Sequence, residues 1–170
     1  IYLDRFWNVA SGFTFFLGVM DSQRCLVTPF TTHWDVFISY KSEDVDIARR
    51  VADQLIASGL KVWFAEYQVL LKNYDQFQQA IDYGIAHCDY GIAFTNDRYI
   101  NSPYCTLEIK QLLERLPPQK ILEIMVPKQE PLPHQKYQAL GDCHGFVGTN
   151  LPGILDFIHQ HTGWEILPLE

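Results

Sequence analysis

From Trp34 onward the chain alternates between short apolar runs and stretches in which apolar residues recur every three or four positions. That is the pattern of strands joined by crossover helices. Asp35-Val-Phe-Ile-Ser-Tyr40 predicts a buried strand, and Ser42 followed by Glu43 and Asp44 marks a helix start with acids at the positive end of its dipole. In the next helix, Val45, Ile47, Ala48, Val51, Ala52, Leu55 and Ile56 make one face. Asp46, Arg49, Arg50 and Asp53 take the other, and Gly59 closes it. Leu60 to Phe64 is a second strand. Asp75 to His87 predicts a second helix with Phe77, Ala80, Ile81, Gly84 and Ile85 inward, and Asp89 to Thr95 a third strand in which Gly91 allows close packing. Ser102 as N-cap and Pro103 at the first helical position open a third helix. It carries Cys105, Ile109, Leu112 and Leu116 on one face and stops at Pro117-Pro118. Ile121 to Val126 is a fourth strand, Gly145 to Gly148 a fifth, and Leu151 to His161 the last helix.

Crossover helices between successive strands imply right-handed connections, so the expected fold is α/β: a flavodoxin-like five-stranded parallel sheet, order 2-1-3-4-5, with helices on both faces. Residues 1–33 read differently. Phe13 to Val19 and Arg24 to Thr28 suggest two short strands joined at Asp21-Ser22-Gln23, and Pro29 with Thr31-Thr32 breaks the pattern. We therefore expect an N-terminal extension over 1–33, a hairpin or a linker, and the main domain over 34–170. Ligands of such sheets bind at the carboxyl ends of the strands. Here that edge carries Ser39 to Ser42, Ala65 to Tyr74 and Thr95 to Ser102.

A chain of 170 residues, 48% hydrophobic and 19% charged, suits one domain with an extension rather than a two-domain enzyme. The formal net charge of −7 gives no general electrostatic reason to bind nucleic acid or an anionic membrane. Cys25, Cys88, Cys105 and Cys143 contain no close pair of the zinc or redox kind, which suits a reduced, cytoplasmic setting. The apolar stretch from Phe13 to Met20 is far short of the roughly 20 residues a membrane helix needs. The chain opens on Ile1 without a signal-peptide pattern and reads as a piece of a longer protein.

Neither of the glycine-rich phosphate cradles, G-x-G-x-x-G or G-x-x-x-x-G-K-[ST], occurs in the sequence. The acid pocket of a response regulator is also missing, because the first strand ends in Ser39-Tyr40 and the third in Phe94-Thr95. The closest histidines, His159 and His161, point about 200° apart on a helix and do not chelate one ion, so no metal is expected. Cys105 sits on an apolar stripe, where core packing competes with a nucleophilic role. Glu108 stands out. At about 100° per residue from Tyr104, the apolar stripe centres near about 110° and Glu108 lies near about 40°, at the stripe's margin. A half-buried carboxylate is expected, one turn above Tyr104 and beside the ligand-binding edge. Desolvation there would raise its pKa and strengthen its pull on a cation. The plainer alternative is a helix-surface Glu that helps its own first turns.

Three runs together carry a resemblance: Asp35-Val-Phe-Ile-Ser-Tyr-Lys-Ser-Glu-Asp44, Gly59-Leu-Lys-Val-Trp-Phe64, and Ser102-Pro-Tyr-Cys-Thr-Leu-Glu-Ile109. In order and spacing, over about residues 34–161, the chain resembles a Toll/interleukin receptor (TIR) domain, with the last run similar to the Trp-Cys-x-x-Glu segment of TIR domains that cleave NAD+. The resemblance implies that Glu108 is the catalytic residue, and that Tyr40 and Lys41, after the first strand, line the NAD+ pocket. It also implies that Ala65 to Tyr74 form the so-called BB loop, which reaches a neighbouring subunit, so Lys72 and Tyr74 are carried over as substrate-binding. Tyr104 stands where Trp is usual and keeps a stacking ring; Ala65 replaces a frequent Asp, and the loop's usual Gly is missing.

As to activity, the resemblance implies an NAD+ glycohydrolase or cyclase, with NAD+ as substrate and no separate cofactor, activated by self-association and serving bacterial antiviral defence. Two rivals stand beside it. One is a non-enzymatic TIR adaptor that signals by homotypic contact, a class that commonly lacks the third-helix glutamate. The other is a TIR-like sensor that binds a nucleotide without cleaving it.

Overall fold

The computed structural model describes residues 33–68, 74–127 and 138–168. The expected N-terminal hairpin and Lys72 lie outside the described residues, as does the side chain of Tyr74.

Five strands, β1 (Trp34–Tyr40), β2 (Val62–Trp63), β3 (Cys88–Thr95), β4 (Ile121–Met125) and β5 (His144–Val147), pair in parallel in the order β2-β1-β3-β4-β5. This is the expected doubly wound sheet. The helices are α1 (Val45–Ala57), a single turn α2 (Ala65–Gln68), α3 (Tyr74–Ala86), a second single turn α4 (Asp97–Ile100), α5 (Pro103–Arg115) and α6 (Leu151–Thr162). Neither single turn is among the elements expected from the sequence. Both follow strand ends, and α4 exists because Asn96 caps it, its side chain accepting from the backbone N–H groups of Arg98 and Tyr99.

Register tells which side chains share a face. Ser39 lies beside Ala93, Ala93 beside Glu123, and Glu123 beside Gly145, a lateral row near the carboxyl end of the sheet. Phe37, Trp63 and Gly91 lie on that same face one step lower, with Phe37 stacked on Trp63. α3 and α5 cover this face: a Cβ on Gly84 would sit 2.5 Å from the Trp63 indole, and one on Gly91 would sit 3.1 Å from Leu112 Cδ1. The opposite face carries Val36, Ile38, Tyr40, Ile92, Phe94, Leu122 and Ile124 by alternation. α6 packs there through Phe157 against Phe146 and touches α1.

The two glycines set how closely the helices approach. Trp63 is buried and stacked on Phe37, so Gly84→Ala should lower stability by about 1–3 kcal/mol. Urea denaturation followed by tryptophan fluorescence checks this; an unchanged midpoint would mean that α3 has room to lift.

Candidate active site

Glu108 is in the second turn of α5, whose start is fixed by two local signals. Ser102 Oγ accepts from the backbone N–H of Cys105, and Pro103 supplies a helical φ at a position whose N–H has no helical partner. Leu112, one turn further on, packs over Gly91, so the helix lies close to β3 and brings Glu108 down onto the end of β1. The carboxyl is more deeply placed than the expected half-burial, at 7% exposure. The helical wheel gave its angle correctly but not how closely the helix meets the sheet.

Ser39 is its partner. Ser39 Oγ donates to Glu108 Oε2 at 2.5 Å and lies 2.5 Å from the hydroxyl of Tyr99. Burial pushes the Glu108 carboxyl up from its ordinary 4.5 to about 7, against the smaller opposing effect of the Ser39 hydrogen bond, which favours the ionised form. Near neutral pH the group is thus divided between an acid and an anion, and a neighbouring charge decides which.

The other residues singled out from sequence are spread around this point. Tyr104 is 44% exposed, one turn before Glu108. Lys41 is half-buried immediately after β1, and its carbonyl accepts from the Asp44 N–H. Tyr40 lies with the core, 2% exposed, its ring stacked on Phe64 at 4.8 Å and, by alternation, on the face opposite Ser39. Burial, then the charges of Glu66 and Glu108, raises its phenol. Cys105 is fully buried, and its thiol is pushed up to about 12 by burial and by the Glu108 charge, so it is inert as a nucleophile. The backbone of Tyr74 opens α3.

Sequence reasoning did not single out Ser39 as a partner, nor Asp44, Asn96 or Tyr99. Asp44 is buried, accepts from Asn96 Nδ2 at 2.7 Å and lies 3.5 Å from Arg98 Nη2. It ties the turn after β1 to the turn after β3. A second buried carboxylate, Glu123 on β4, accepts from Thr95 Oγ1 at 2.7 Å in the same lateral row as Ser39. The signals in the sequence were an isolated acid inside an apolar strand and an Asn-Asp start after β3. Among the described residues no group of three His, Cys, Asp or Glu side chains could hold a metal ion, and no helix is long and apolar enough to cross a membrane.

A family model described as "TIR domain" matches residues 36–146. The 2′ cyclic ADP-D-ribose synthase BtTIR of Bacteroides thetaiotaomicron is 34% identical over 86 residues, which is 50% of this chain and 29% of that protein. The NAD(+) hydrolase TcpC of Escherichia coli O6:H1 is 32% identical over 85 residues, 49% of this chain and 27% of that protein. The NAD(+) hydrolase TcpA of a Theionarchaea archaeon is 30% identical over 83 residues, 48% and 25% respectively. The matched stretch is thus less than a third of the length of each relative. Among solved structures, the TIR domain of the Toll-related receptor TRR-2 from Hydra magnipapillata superposes with a TM-score of 0.58 at 16% identity, covering 75% of this chain and 94% of that one. A TIR-STING receptor from C. gigas gives 0.54 at 19%, covering 80% and 41%. Both share the fold.

The raised pKa of Glu108 makes stability depend on pH in a stated direction. Below about 4.5 both folded and unfolded chains hold the proton; between 4.5 and about 7 the unfolded chain releases it while the folded one keeps it. Stability therefore falls as pH rises through that window, by roughly 3 kcal/mol in all, and levels off above it. Glu108→Gln keeps an acceptor for Ser39 and has no proton to lose. It should melt close to wild type at pH 4.5 and several degrees higher at pH 8. A difference in melting temperature that does not change with pH would show that the native carboxyl titrates normally.

Proposed function

The chain belongs to the TIR domain family, and on that footing we propose that it is an NAD+ glycohydrolase or cyclase. The observation that carries this reading is the Glu108 carboxyl, buried at the carboxyl edge of the sheet with Ser39 as donor and a proton affinity poised near neutrality. The names of three relatives, two NAD(+) hydrolases and a cyclic ADP-ribose synthase, support it.

The chemistry asks little beyond such a group. Nicotinamide is already cationic at nitrogen in NAD+, so the C1′–N1 bond breaks heterolytically with no general acid. The bonding pair goes to the ring nitrogen and leaves oxocarbenium character on the ribose. Ionised Glu108 stabilises that cation and accepts hydrogen bonds from the ribose hydroxyls. Tyr104, the exposed ring one turn away, offers a surface for stacking, and Lys41 a charge for the pyrophosphate. Water then adds to C1′ and releases its proton, giving ADP-ribose. Attack by an atom of the molecule's own adenine or ribose gives a cyclic isomer instead. Self-association completes the site through the segment after β2, with Lys72 and Tyr74 reaching a neighbour. Antiviral defence in a bacterial cytoplasm is the setting that the family resemblance suggests.

Purified protein incubated with NAD+, with and without a crowding agent, should release nicotinamide, measured by chromatography. Glu108→Ala should lower the rate about 100-fold or more. Because the ionised form does the work, kcat/KM should rise between pH 6 and pH 8 with a midpoint near 7. No release from concentrated wild type would favour the adaptor reading.

Lys72→Glu tests the shared site. Its loss of rate should be larger at low protein concentration than at high, and a loss independent of concentration would count against assembly.

A further inference from the structure

Three groups at the tips of β1 and β3 form an unbroken chain away from water. Tyr99 Oη lies 2.5 Å from Ser39 Oγ, and Ser39 Oγ lies 2.5 Å from Glu108 Oε2. Tyr99 is fully buried, Ser39 is 1% exposed and Glu108 7%. A serine hydroxyl has one proton. An ionised carboxylate accepts only, so the Ser39 proton must lie toward Glu108, and the Ser39 oxygen is then left to accept from Tyr99. Whenever Glu108 is ionised, the order of donors is fixed along the chain.

The backbone holds Tyr99 where this order needs it. Asn96 Oδ1 accepts from Arg98 N at 3.0 Å and Tyr99 N at 3.1 Å, and Asn96 Nδ2 donates to Asp44 Oδ2, whose other oxygen faces Arg98. One turn of helix is thereby anchored to the segment after β1, the strand that carries Ser39. The buried Tyr99 hydroxyl thus meets the same serine hydroxyl that donates to Glu108. We propose that Tyr99 is a positioning residue for Glu108: by donating to Ser39 Oγ it commits the Ser39 proton to Glu108 Oε2 and holds the carboxylate in its accepting form. The assignment deepens the proposed function and rests on reading Glu108 as the group that meets the ribose cation.

Among the described residues, the Glu108 charge raises Tyr40 on β1 and Cys105 on α5, both held protonated by burial through the neutral range. The Lys41 charge acts on Cys105, and the Asp44–Arg98 pair stands behind Asn96. None of these takes the place of the Ser39 donor, so removing the Tyr99 hydroxyl should weaken that donor.

Carboxyl-carbon NMR titration of the whole chain without substrate reads this directly, with the Glu108 resonance assigned by its loss in Glu108→Gln. Tyr99→Phe should move the Glu108 midpoint upward by about half a pH unit, and Ser39→Ala by about one. An unmoved midpoint in a folded Tyr99→Phe protein overturns the proposal. Should that variant not fold, the ring carbon bearing the hydroxyl of Tyr99 decides. Its signal should follow the Glu108 midpoint in wild type and lose that step in Ser39→Ala, and a signal flat through the titration overturns the proposal. The pH midpoint of kcat/KM for nicotinamide release should shift with the NMR midpoint. A moved midpoint without release from wild type would remove the enzymatic reading and leave the role of Tyr99 standing. Release with an unmoved midpoint would do the reverse.

Discussion

A single hydrogen bond, Ser39 to Glu108, sets what the edge of this sheet can do. Taking a carboxylate out of water costs several kcal/mol, while one hydrogen bond to a charged group returns about 1.5–3 kcal/mol. The balance falls short of full compensation, and the carboxyl responds by holding its proton to about pH 7. The depth of burial is set lower down, where Gly91 leaves room for Leu112 and lets α5 close on β3. Backbone packing in one strand thus fixes the proton affinity of a side chain one helical turn away.

The same device recurs two strands across. Thr95, on the same face two residues beyond Ala93, donates to Glu123 of the lateral row that begins at Ser39, so two hydroxyl–carboxyl pairs lie on one face near the strand tips. They differ in what holds them. Glu123 is on a central strand and fully buried, and its position is fixed by the sheet. Glu108 is on a helix, so its position depends on how α5 starts and on the turns after β1 and β3. Asp44, Asn96 and Arg98 join those turns, which makes the Asp44 carboxylate a structural tie rather than a free charge at the rim.

The strand order and helix faces were legible because the apolar spacing was regular, and Ser102-Pro103 marked the start of α5 to the residue. Glu108 was legible as an angle on a wheel. Its depth was not, because that depends on the contact between Leu112 and Gly91, which joins positions distant in sequence. Tyr40 illustrates a signal present but unused: strict alternation places it with Val36 and Ile38 and opposite Ser39, on the face where it stacks on Phe64. Tyr99 had only the Asn96-Asp97 start as a signal, and it is the turn capped by Asn96 that brings its hydroxyl to Ser39.

Under the proposed reading, the burial that works against the Glu108 anion is what makes it effective when a cation arrives. A nicotinamide ring nitrogen or a ribose oxocarbenium brings positive charge into the same poorly screened space, where its attraction to the anion is strongest. The ligand must then lower the proton affinity of Glu108, and by linkage the anion must bind the cationic ligand more tightly than the acid does. Once the bonding pair has left with nicotinamide and water has quenched the ribose, no positive charge remains. The carboxyl regains its proton and its hold on the product weakens. Discrimination between charged and neutral states, rather than tight binding of either, is what a transition state with cationic character requires.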